Sequence, residues 1–276
     1  MKILIIVLTF LLSGCVAHVS ENALVRATSS DGILPAASPD GVWNINPISI
    51  QVDPNASLRG AVFSKPQSIA TVLYLGGNGF VLSKNYDYVL AVYGEQPVDL
   101  VIFDHRGYGG STGTASLDAI ISDGLSTYDH VRAMASTSGK PLIVHGQSLG
   151  SFVAGDIASQ RVLSALILES SATTAEEWVQ GFVDNSPWVR KGVVESTLKG
   201  KGNARVMATL NEPLLIVVGK NDTTTRPAMS ESLFKQAGLP ASSKELIVVA
   251  GAGHNDAAKS AAFNGAFSRL LTRAQE

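Results

Sequence analysis

The chain has 276 residues, of which 45% are hydrophobic and 16% are charged, and its formal net charge at pH 7 is -2. This length and composition are typical of a globular protein with one substantial core, so we expect a single folded domain. The charge is nearly balanced and contains no run of lysine or arginine, which argues against nucleic acid as a partner.

The first residues, MKILIIVLTFLLSGC, predict an export signal. A single cation, Lys2, precedes an apolar run from Ile3 to Leu12 that is too short to span a bilayer as a helix. Cys15 is the only cysteine, so it cannot form an intramolecular disulfide, and an unpaired cysteine in an exported chain needs a reason. An ordinary cleaved signal peptide with an incidental cysteine is the alternative interpretation.

The stretch LSGC, Leu12 to Cys15, resembles the signal of bacterial lipoproteins. The resemblance implies a lipoprotein signal peptide over residues 1–14, cleavage before Cys15 and lipid chains on that cysteine. Several acyl chains on one residue suffice for stable membrane attachment. Val16 stands where an aspartate would signal inner-membrane retention, so the resemblance implies the bacterial cell envelope, at the periplasmic face of the outer membrane in a two-membrane organism.

Residues 15–47 are predicted to form a tether or surface segment, because they are rich in Ser, Ala, Asp, Gly and Pro without sustained periodicity. The folded domain is expected to span residues 48–276. Short apolar runs follow in chain order: ISIQV, GAVFSK, IATVLYL, VDLVIF, PLIVHG, SALILES, PLLIVVG and ELIVVAG. The last six show little polar alternation, which is typical of parallel strands covered on both faces.

Helical stretches alternate with these strands. Between VDLVIF and PLIVHG, apolar residues recur at helical spacing from Leu117 to Met134, and Ser116 is a candidate N-cap. Alternating strands and helices predict an α/β fold, with a mostly parallel, doubly wound sheet and helices on both faces.

Two stretches match the nucleophile-elbow pattern G-x-S-x-G: GGSTG around Ser111 and GQSLG around Ser148. An elbow requires a strand that ends abruptly, a serine in strained geometry, small neighbours and a helix that starts at once. The strand PLIVHG, the glycines 146 and 150 and the helix SLGSFVAGDIASQ meet these requirements around Ser148. Ser111 lies in a glycine-rich loop, so we predict that it makes structural hydrogen bonds.

A nucleophilic serine needs a base, and the base needs an acid, in the chain order Ser, Asp or Glu, His. His254 is the only histidine after Ser148, and its loop follows the strand ELIVVA. We therefore predict His254 as the base and regard the other histidines, 18, 105, 130 and 145, as structural or solvated. Asp222, after PLLIVVGKN, is the predicted acid; Glu169 is its rival, and Asp256 is close to His254 in sequence.

The tetrahedral intermediate of acyl transfer needs two backbone N–H donors. The elbow supplies the N–H of Leu149, and the loop GGNG, after the strand IATVLYL, lets backbone approach the substrate closely. By itself GGNG is also an ordinary turn.

Together, YLGGNG, FDHRGYGGSTG, HGQSLG, GKND and GAGH resemble the α/β-hydrolase superfamily, in the compact group of serine-aminopeptidase-like, monoacylglycerol-lipase-like and depalmitoylase-like enzymes. The resemblance spans about Tyr74 to His254. It implies that Asn78 supplies the second N–H donor, and that Asp104 and Arg106 form a structural pair that braces the loop. Gly76 departs from the family pattern, which usually has histidine there. The resemblance also assigns Ser111 to a shaping loop.

About forty residues, near 174–212, separate SALILESSAT from PLLIVVG, and this length suits a small lid. Trp178, Phe182 and Trp188 lie in it, where they either line an acyl or aromatic pocket or pack the lid onto the body.

The sequence thus predicts a serine hydrolase that acts on an ester or thioester without metal or organic cofactor, as a monomer on a small or acyl substrate. One alternative is a peptidase or amidase of the same fold, with Glu176 and Glu177 in the lid as the only candidates for binding an amino terminus. The other is a non-catalytic envelope lipoprotein that uses the fold as a binding scaffold.

Overall fold

The computed structural model describes residues 7–9, 15–30, 32–184 and 188–276; for residues 7–9, 15 and 135 this covers the backbone alone. The described strands, in chain order, are β1 (Val7–Thr9), β2 (Cys15–Val19), β3 (Asn44–Asp53), β4 (Ala56–Ser64), β5 (Ala70–Leu75), β6 (Val98–Phe103), β7 (Leu142–Gln147), β8 (Ala165–Glu169), β9 (Val189–Val194), β10 (Leu214–Gly219) and β11 (Lys244–Val249). The α-helices are α1 (Glu21–Leu24), α2 (Leu82–Tyr93), α3 (Leu117–Ala133), α4 (Leu149–Ala158), α5 (Ala175–Val183), α6 (Ala204–Met207), α7 (Pro227–Gln236) and α8 (Ala261–Arg273).

The central sheet has the strand order β11-β10-β8-β7-β5-β6-β4-β3. Its first six strands pair in parallel, whereas β4 pairs antiparallel with both β6 and β3. Every residue of β5, β6, β7, β8 and β10 is buried. The prediction of a parallel sheet covered on both faces is therefore confirmed, and the antiparallel β3 and β4 extend it at one edge.

Helices cover both faces of this sheet and give two apolar cores. One core contains buried residues of α3, α4 and α7, and the other contains buried residues of α2 and α8. Helix α3 begins where the sequence predicts, because the Ser116 hydroxyl accepts a hydrogen bond from the Ala119 N–H at 3.2 Å. Among the described helices, none combines the length and the apolar character needed to cross a membrane.

The segment predicted as a tether or surface segment packs on the body over much of its length. Leu24, Val25 and Trp43 are buried, and β3 begins at Asn44, ahead of the predicted domain start at residue 48. The backbones of Thr28 and Ser30 form hydrogen bonds with that of Gly109. Isolated apolar residues among polar ones anchor this segment, and such anchors give no periodic signal in the sequence.

The stretch predicted as a lid, near residues 174–212 and called the lid below, contains α5, β9 and α6. Strand β9 pairs in parallel with β2, and β1 pairs antiparallel with β2, so these strands form a small sheet of their own. The N-terminal segment and the lid are thereby joined beside the carboxyl end of the central sheet.

Candidate active site

Ser148 lies at a sharp junction between strand and helix. Strand β7 ends at Gln147 and α4 begins at Leu149, which leaves Ser148 alone between them with φ 53° and ψ -114°. A positive φ costs a residue with a side chain about 1–3 kcal/mol, and such strain is concentrated at functional sites. The Ser148 N–H donates to the Glu169 carbonyl at 2.9 Å, which holds the serine against the neighbouring strand β8.

The two glycines that flank the serine are required by close packing. A Cβ on Gly146 would lie 2.4 Å from the Gly150 carbonyl oxygen, and a Cβ on Gly150 would lie 2.0 Å from the Leu75 carbonyl oxygen. Both distances are far below van der Waals contact. The sequence requirement for small residues on each side of the elbow thus has a direct steric cause.

The structure brings Ser148, His254 and Asp222 into one chain of hydrogen bonds. The His254 Nε2 lies 2.9 Å from the Ser148 Oγ, and the His254 Nδ1 lies 2.8 Å from the Asp222 Oδ2. The Asp222 side chain is completely buried, whereas that of His254 is 18% exposed. Because the residues come from the ends of three elements, only the folded sheet brings them within reach of one another.

Thr225 and its neighbours fix the carboxylate of Asp222. The backbone N–H groups of Thr224 and Thr225 donate to Oδ1 at 2.8 and 2.9 Å, and the Thr225 hydroxyl lies 2.8 Å from Oδ2. Burial raises the pKa of Asp222. The hydrogen bond and charge of His254, together with the hydrogen bonds of Thr225, lower it by more, so the pKa lies below the ordinary value of 3.8. The arrangement favours an ionised carboxylate facing the imidazole.

The rival acids lie elsewhere. Glu169 is fully buried, and its carboxylate contacts the Tyr88 hydroxyl at 3.2 Å and the His145 Nε2 at 3.2 Å, without hydrogen-bond alignment for the latter. Asp256 accepts a hydrogen bond from the Gly253 N–H at 2.6 Å, at the turn that carries His254. Neither carboxylate contacts the His254 ring, so the geometry favours Asp222.

The other histidines have structural surroundings or face solvent. His145 is buried beside the Tyr93 hydroxyl, at 2.7 Å from its Nδ1, and His105 contacts the Gly76 carbonyl at 2.8 Å through Nε2. His130 packs edge-on against Phe103, and His18 is exposed. His105 thereby supports the loop in which the family pattern would place its own histidine.

Asn78 and Leu149, the residues predicted to supply the N–H donors, line the cavity that contains Ser148. In the described part of the chain, neither N–H has a hydrogen-bond partner. The Asn78 side chain is held in place, because its Oδ1 accepts from the Arg26 N–H at 2.9 Å and from the Tyr108 hydroxyl at 3.0 Å. These two hydrogen bonds hold the Asn78 side chain and so limit the movement of the backbone N–H that is the predicted donor.

The loop after β6 differs from the prediction in one respect. Asp104 and Arg106 do not pair with each other: Asp104 accepts from the N–H groups of Leu82, at 2.6 Å, and Gly110, at 3.1 Å. Arg106 instead forms ion pairs with Asp53 and Asp123. The two side chains brace different parts of the loop, and the resemblance gave their structural role but the wrong partners.

Ser111 behaves as predicted for the second pattern match. Its hydroxyl donates to the Asp104 carbonyl at 2.8 Å and accepts from the Arg59 N–H at 2.9 Å. Both bonds tie the glycine-rich loop to the sheet, and no histidine contacts this hydroxyl among the described residues.

In the described part of the chain, two further cavities adjoin the one that contains Ser148. The central cavity, of about 290 Å³, contains Ser148 and His254. A polar cavity of about 270 Å³ shares Asn78, Gln147 and Asn255 with it. An apolar cavity of about 310 Å³, between the lid and the N-terminal segment, shares Ala23, Arg26, Trp178 and Thr224 with the central one.

The lid aromatics have different positions. Trp178 borders the central and apolar cavities and stacks edge-on against Phe182, which borders the apolar cavity alone. Trp188 is 77% exposed. Trp178 and Phe182 therefore border a cavity, and Trp178 also packs against the core of the body, so both roles considered for these aromatics stay open.

Sequence reasoning missed several residues of the site, chiefly Arg26, Gln147, Thr225 and Asn255. Gln147 and Asn255 are neighbours of the predicted serine and histidine, and the Gln147 Nε2 donates to the Asn255 Oδ1 at 3.0 Å. Their positions beside Ser148 and His254 were a usable signal. No sequence pattern placed Arg26 at the site, because its segment reads as a surface linker.

Within the described residues, no group of three or more His, Cys, Asp or Glu side chains is arranged to hold a metal ion. The side chain of Cys15, the predicted site of lipidation, lies outside the described parts of the chain; its backbone begins strand β2.

Comparison with known proteins gives one family model, described as serine aminopeptidase, S33, which matches residues 70–206. The uncharacterized protein Rv2307c of Mycobacterium tuberculosis is 30% identical over 185 residues, which are 67% of this chain and 63% of that protein. The chain thus matches less than two thirds of the mycobacterial relative. YfhR of Escherichia coli K12, also uncharacterized, is 23% identical over 92% of this chain and 87% of its own length.

Solved structures share the fold. The esterase Pf2001 of Pyrococcus furiosus superposes with a TM-score of 0.66 at 18% identity, over 91% of this chain and 98% of its own. Est1E of Butyrivibrio proteoclasticus, solved with ferulic acid bound, gives a TM-score of 0.67 at 18% identity, over 83% of this chain and all of its own. At these identities the likeness establishes the architecture of the chain.

Proposed function

We propose that this α/β-hydrolase is a serine hydrolase. It cleaves an ester or thioester through an acyl-enzyme intermediate. The observation that carries the proposal is the hydrogen-bonded series Ser148, His254 and Asp222, in which the serine stands in strained backbone geometry. Asn78 and Leu149, whose N–H groups have no hydrogen-bond partner among the described residues, line the same cavity.

In the proposed reaction, the Ser148 Oγ attacks the substrate carbonyl carbon while His254 Nε2 takes the hydroxyl proton. The carbonyl oxygen becomes an oxyanion that the N–H groups of Asn78 and Leu149 stabilise. The bond to the leaving oxygen or sulfur then breaks, and His254 transfers its proton to that atom. Asp222 holds the imidazole in the correct tautomer and balances its positive charge during both transfers.

The second half repeats the sequence with water. His254 takes a proton from a water molecule, whose oxygen attacks the acyl carbon. The bond between this carbon and the Ser148 Oγ breaks, the proton returns from His254 to the serine, and the carboxylic acid is released. The protein ends each cycle in its starting state.

The cavity linings favour an ester over a peptide with a free amino terminus. An ammonium group requires a carboxylate partner when it is bound away from water, and none borders the central, polar or apolar cavity among the described residues. Glu176 accepts from the Gly200 N–H at 2.8 Å and Glu177 from the Thr173 hydroxyl, so both face other parts of the lid. The esterase names of the structural relatives agree with this choice; the name of the family model favours the peptidase alternative.

A fluorophosphonate probe tests the proposal, since it reacts with an activated serine. We expect the full chain to be labelled, Ser148→Ala to lose labelling completely, and Ser111→Ala to keep it, because Ser111 has the same flanking pattern without a base. Both variants are compared by Tm to establish that they are folded. Labelling that persists in Ser148→Ala would overturn the assignment, and a folded wild type that neither reacts nor hydrolyses p-nitrophenyl esters would favour the scaffold alternative.

We also propose that the chain is exported and anchored by lipid on Cys15 in the bacterial cell envelope, at the periplasmic face of the outer membrane where there are two membranes. The support is the sequence LSGC after a short apolar run, with Val16 after the cysteine. We further propose that the folded chain acts as a monomer on a small or acyl substrate.

A further inference from the structure

The apolar cavity that adjoins the central one has a wall that comes from the N-terminal strand β2. On β2, Ala17 and Val19 border the cavity, whereas His18, between them, is exposed. Side chains alternate between the two faces of a strand, so one face of β2 is committed to the cavity and the other to solvent. The lid supplies the opposite wall from Val179, Phe182 and Val183.

This wall is firmly built into the fold. Strand β2 pairs with β9 from Val16 to Val19, and the Glu195 N–H continues the pattern by donating to the Val19 carbonyl at 3.0 Å. The Glu21 N–H donates to the Glu195 carboxylate at 2.7 Å, and the Glu21 carboxylate accepts from the Leu117 N–H at the start of α3. The strand is thus attached to the lid and to the body.

The apolar cavity adjoins the central cavity, which contains Ser148. Ala23, Arg26, Trp178 and Thr224 line both it and the central cavity, so a ligand held at Ser148 that extends past these residues would reach the apolar cavity. Arg26 is the one charged residue that borders the apolar cavity in the described part of the chain, and it stands at this junction. Beyond Arg26 the lining is predominantly aliphatic and aromatic, and such a lining penalises charged or strongly polar groups.

We propose that β2 is a specificity-determining element: the aliphatic acyl chain of the substrate occupies the apolar cavity, and Ala17 and Val19 set how long a chain is accepted. This inference rests on the proposed hydrolase function and adds the chemical class of the acyl group. Each methylene buried in the cavity adds about fourfold to kcat/KM, until the chain reaches the end of the cavity.

The test is a series of p-nitrophenyl esters from acetate to decanoate, hydrolysed by the full chain. Val19→Phe places a large side chain in the cavity, and His18→Phe makes a comparable addition on the solvent face of the same strand. We expect the ratio of kcat/KM for octanoate to that for acetate to fall at least tenfold in Val19→Phe, about the loss of two buried methylenes. The ratio in His18→Phe remains that of the wild type.

A second variant covers the case in which Val19→Phe does not fold. Phe182→Ala enlarges the cavity from the lid side, and we expect its preferred ester to be longer than that of the wild type. Unchanged length profiles in a folded, fluorophosphonate-reactive Val19→Phe, or in Phe182→Ala where the former fails to fold, would overturn the inference and leave the hydrolase function intact. A wild type that reacts with the fluorophosphonate but hydrolyses none of the esters would overturn this inference alone, and one that neither reacts nor hydrolyses would reject both.

Discussion

The hydroxyl of Thr225 stands at the junction of three groups that matter for the proposed reaction. Its Oγ1 lies 2.8 Å from the Asp222 Oδ2, 2.9 Å from the Ser170 carbonyl and 3.2 Å from the His254 Nδ1. The Ser170 hydroxyl in turn donates to the His254 carbonyl at 2.9 Å. Thr225 and Ser170 are therefore placed to position Asp222 and His254, the proposed acid and base.

We predict that Thr225→Val lowers kcat about tenfold to hundredfold, because the Asp222 carboxylate loses a hydrogen bond and the imidazole loses part of its orientation. Thr225→Ser retains the hydroxyl and is expected to recover most of the activity. Steady-state hydrolysis of a p-nitrophenyl ester, separated into kcat and KM, measures the effect. If Thr225→Ser were as impaired as Thr225→Val, the methyl group and not the hydroxyl would carry the role.

The lowered pKa of Asp222 gives a second prediction at this scale. A carboxyl whose folded-state pKa lies below its unfolded value of 3.8 stabilises the fold above pH 3.8, and this contribution is lost as the pH falls through the folded-state pKa. The difference in free energy of unfolding between the wild type and Asp222→Asn should therefore narrow below about pH 4. Urea unfolding from about pH 7 to about pH 2.5 measures it; a difference that is constant with pH would contradict it.

At the scale of elements, the elbow depends on close contact between α4 and β5. Gly150, in the first turn of α4, lies so near the carbonyl groups of Leu75 and Gly76 that a Cβ would approach them to 2.0 and 2.7 Å. The helix that follows the serine is thus fitted against the strand that leads into the proposed donor loop. The elbow and the donor loop form one packed unit.

We predict that Gly150→Ala lowers the free energy of unfolding by about 1–3 kcal/mol, because the carbonyl groups of Leu75 and Gly76 have to move. Fluorophosphonate labelling should fall with it, since the shift displaces the donor loop. Gly265→Ala in α8 is the matched control: its nearest atom would lie 3.6 Å away, so helix propensity alone should stabilise the protein by about 0.5–1 kcal/mol. Equal stabilities of the two variants would contradict the packing argument.

The sequence predicts those elements and site residues whose positions are determined by neighbouring residues in the chain. Ser148 was separable from Ser111 because a strand, two small residues and a helix are readable around it, and His254 because no other histidine follows the elbow. Arg26 was out of reach of this reasoning, because its place at the cavity follows from the pairing of β2 with β9. Pairing between strands about 170 residues apart in sequence leaves no local periodicity.

At the scale of the whole molecule, the N-terminal segment and the lid form a second structural layer beside the central sheet. The Arg26 N–H connects this layer to the Asn78 side chain, and Trp178 connects it to the cavity of Ser148. If this segment were a free tether, the candidate site would be formed by the body and the lid alone. The packed segment instead closes one side of the candidate site.

We predict that Cys15→Ser moves the protein from the membrane fraction to the soluble fraction of the cell envelope, because the substitution removes the thiol that would carry the lipid chains. Mass spectrometry of the wild type should show acyl groups on residue 15. Unchanged partitioning of Cys15→Ser would remove the lipoprotein proposal and leave the hydrolase proposal as it stands, since a fluorophosphonate probe reports on Ser148 independently.

Strand β2 places the proposed lipid anchor, Cys15, close to the apolar cavity. Val19, in the wall of the apolar cavity, follows Cys15 by four residues of extended backbone, a span of about 13 Å. With Cys15 anchored as proposed, the mouth of the cavity cannot travel far from the lipid surface, however the rest of the molecule turns. The rate at which the enzyme meets a membrane-bound substrate would then depend on the surface concentration of that substrate in the membrane. An acyl chain could enter the cavity without first crossing bulk water.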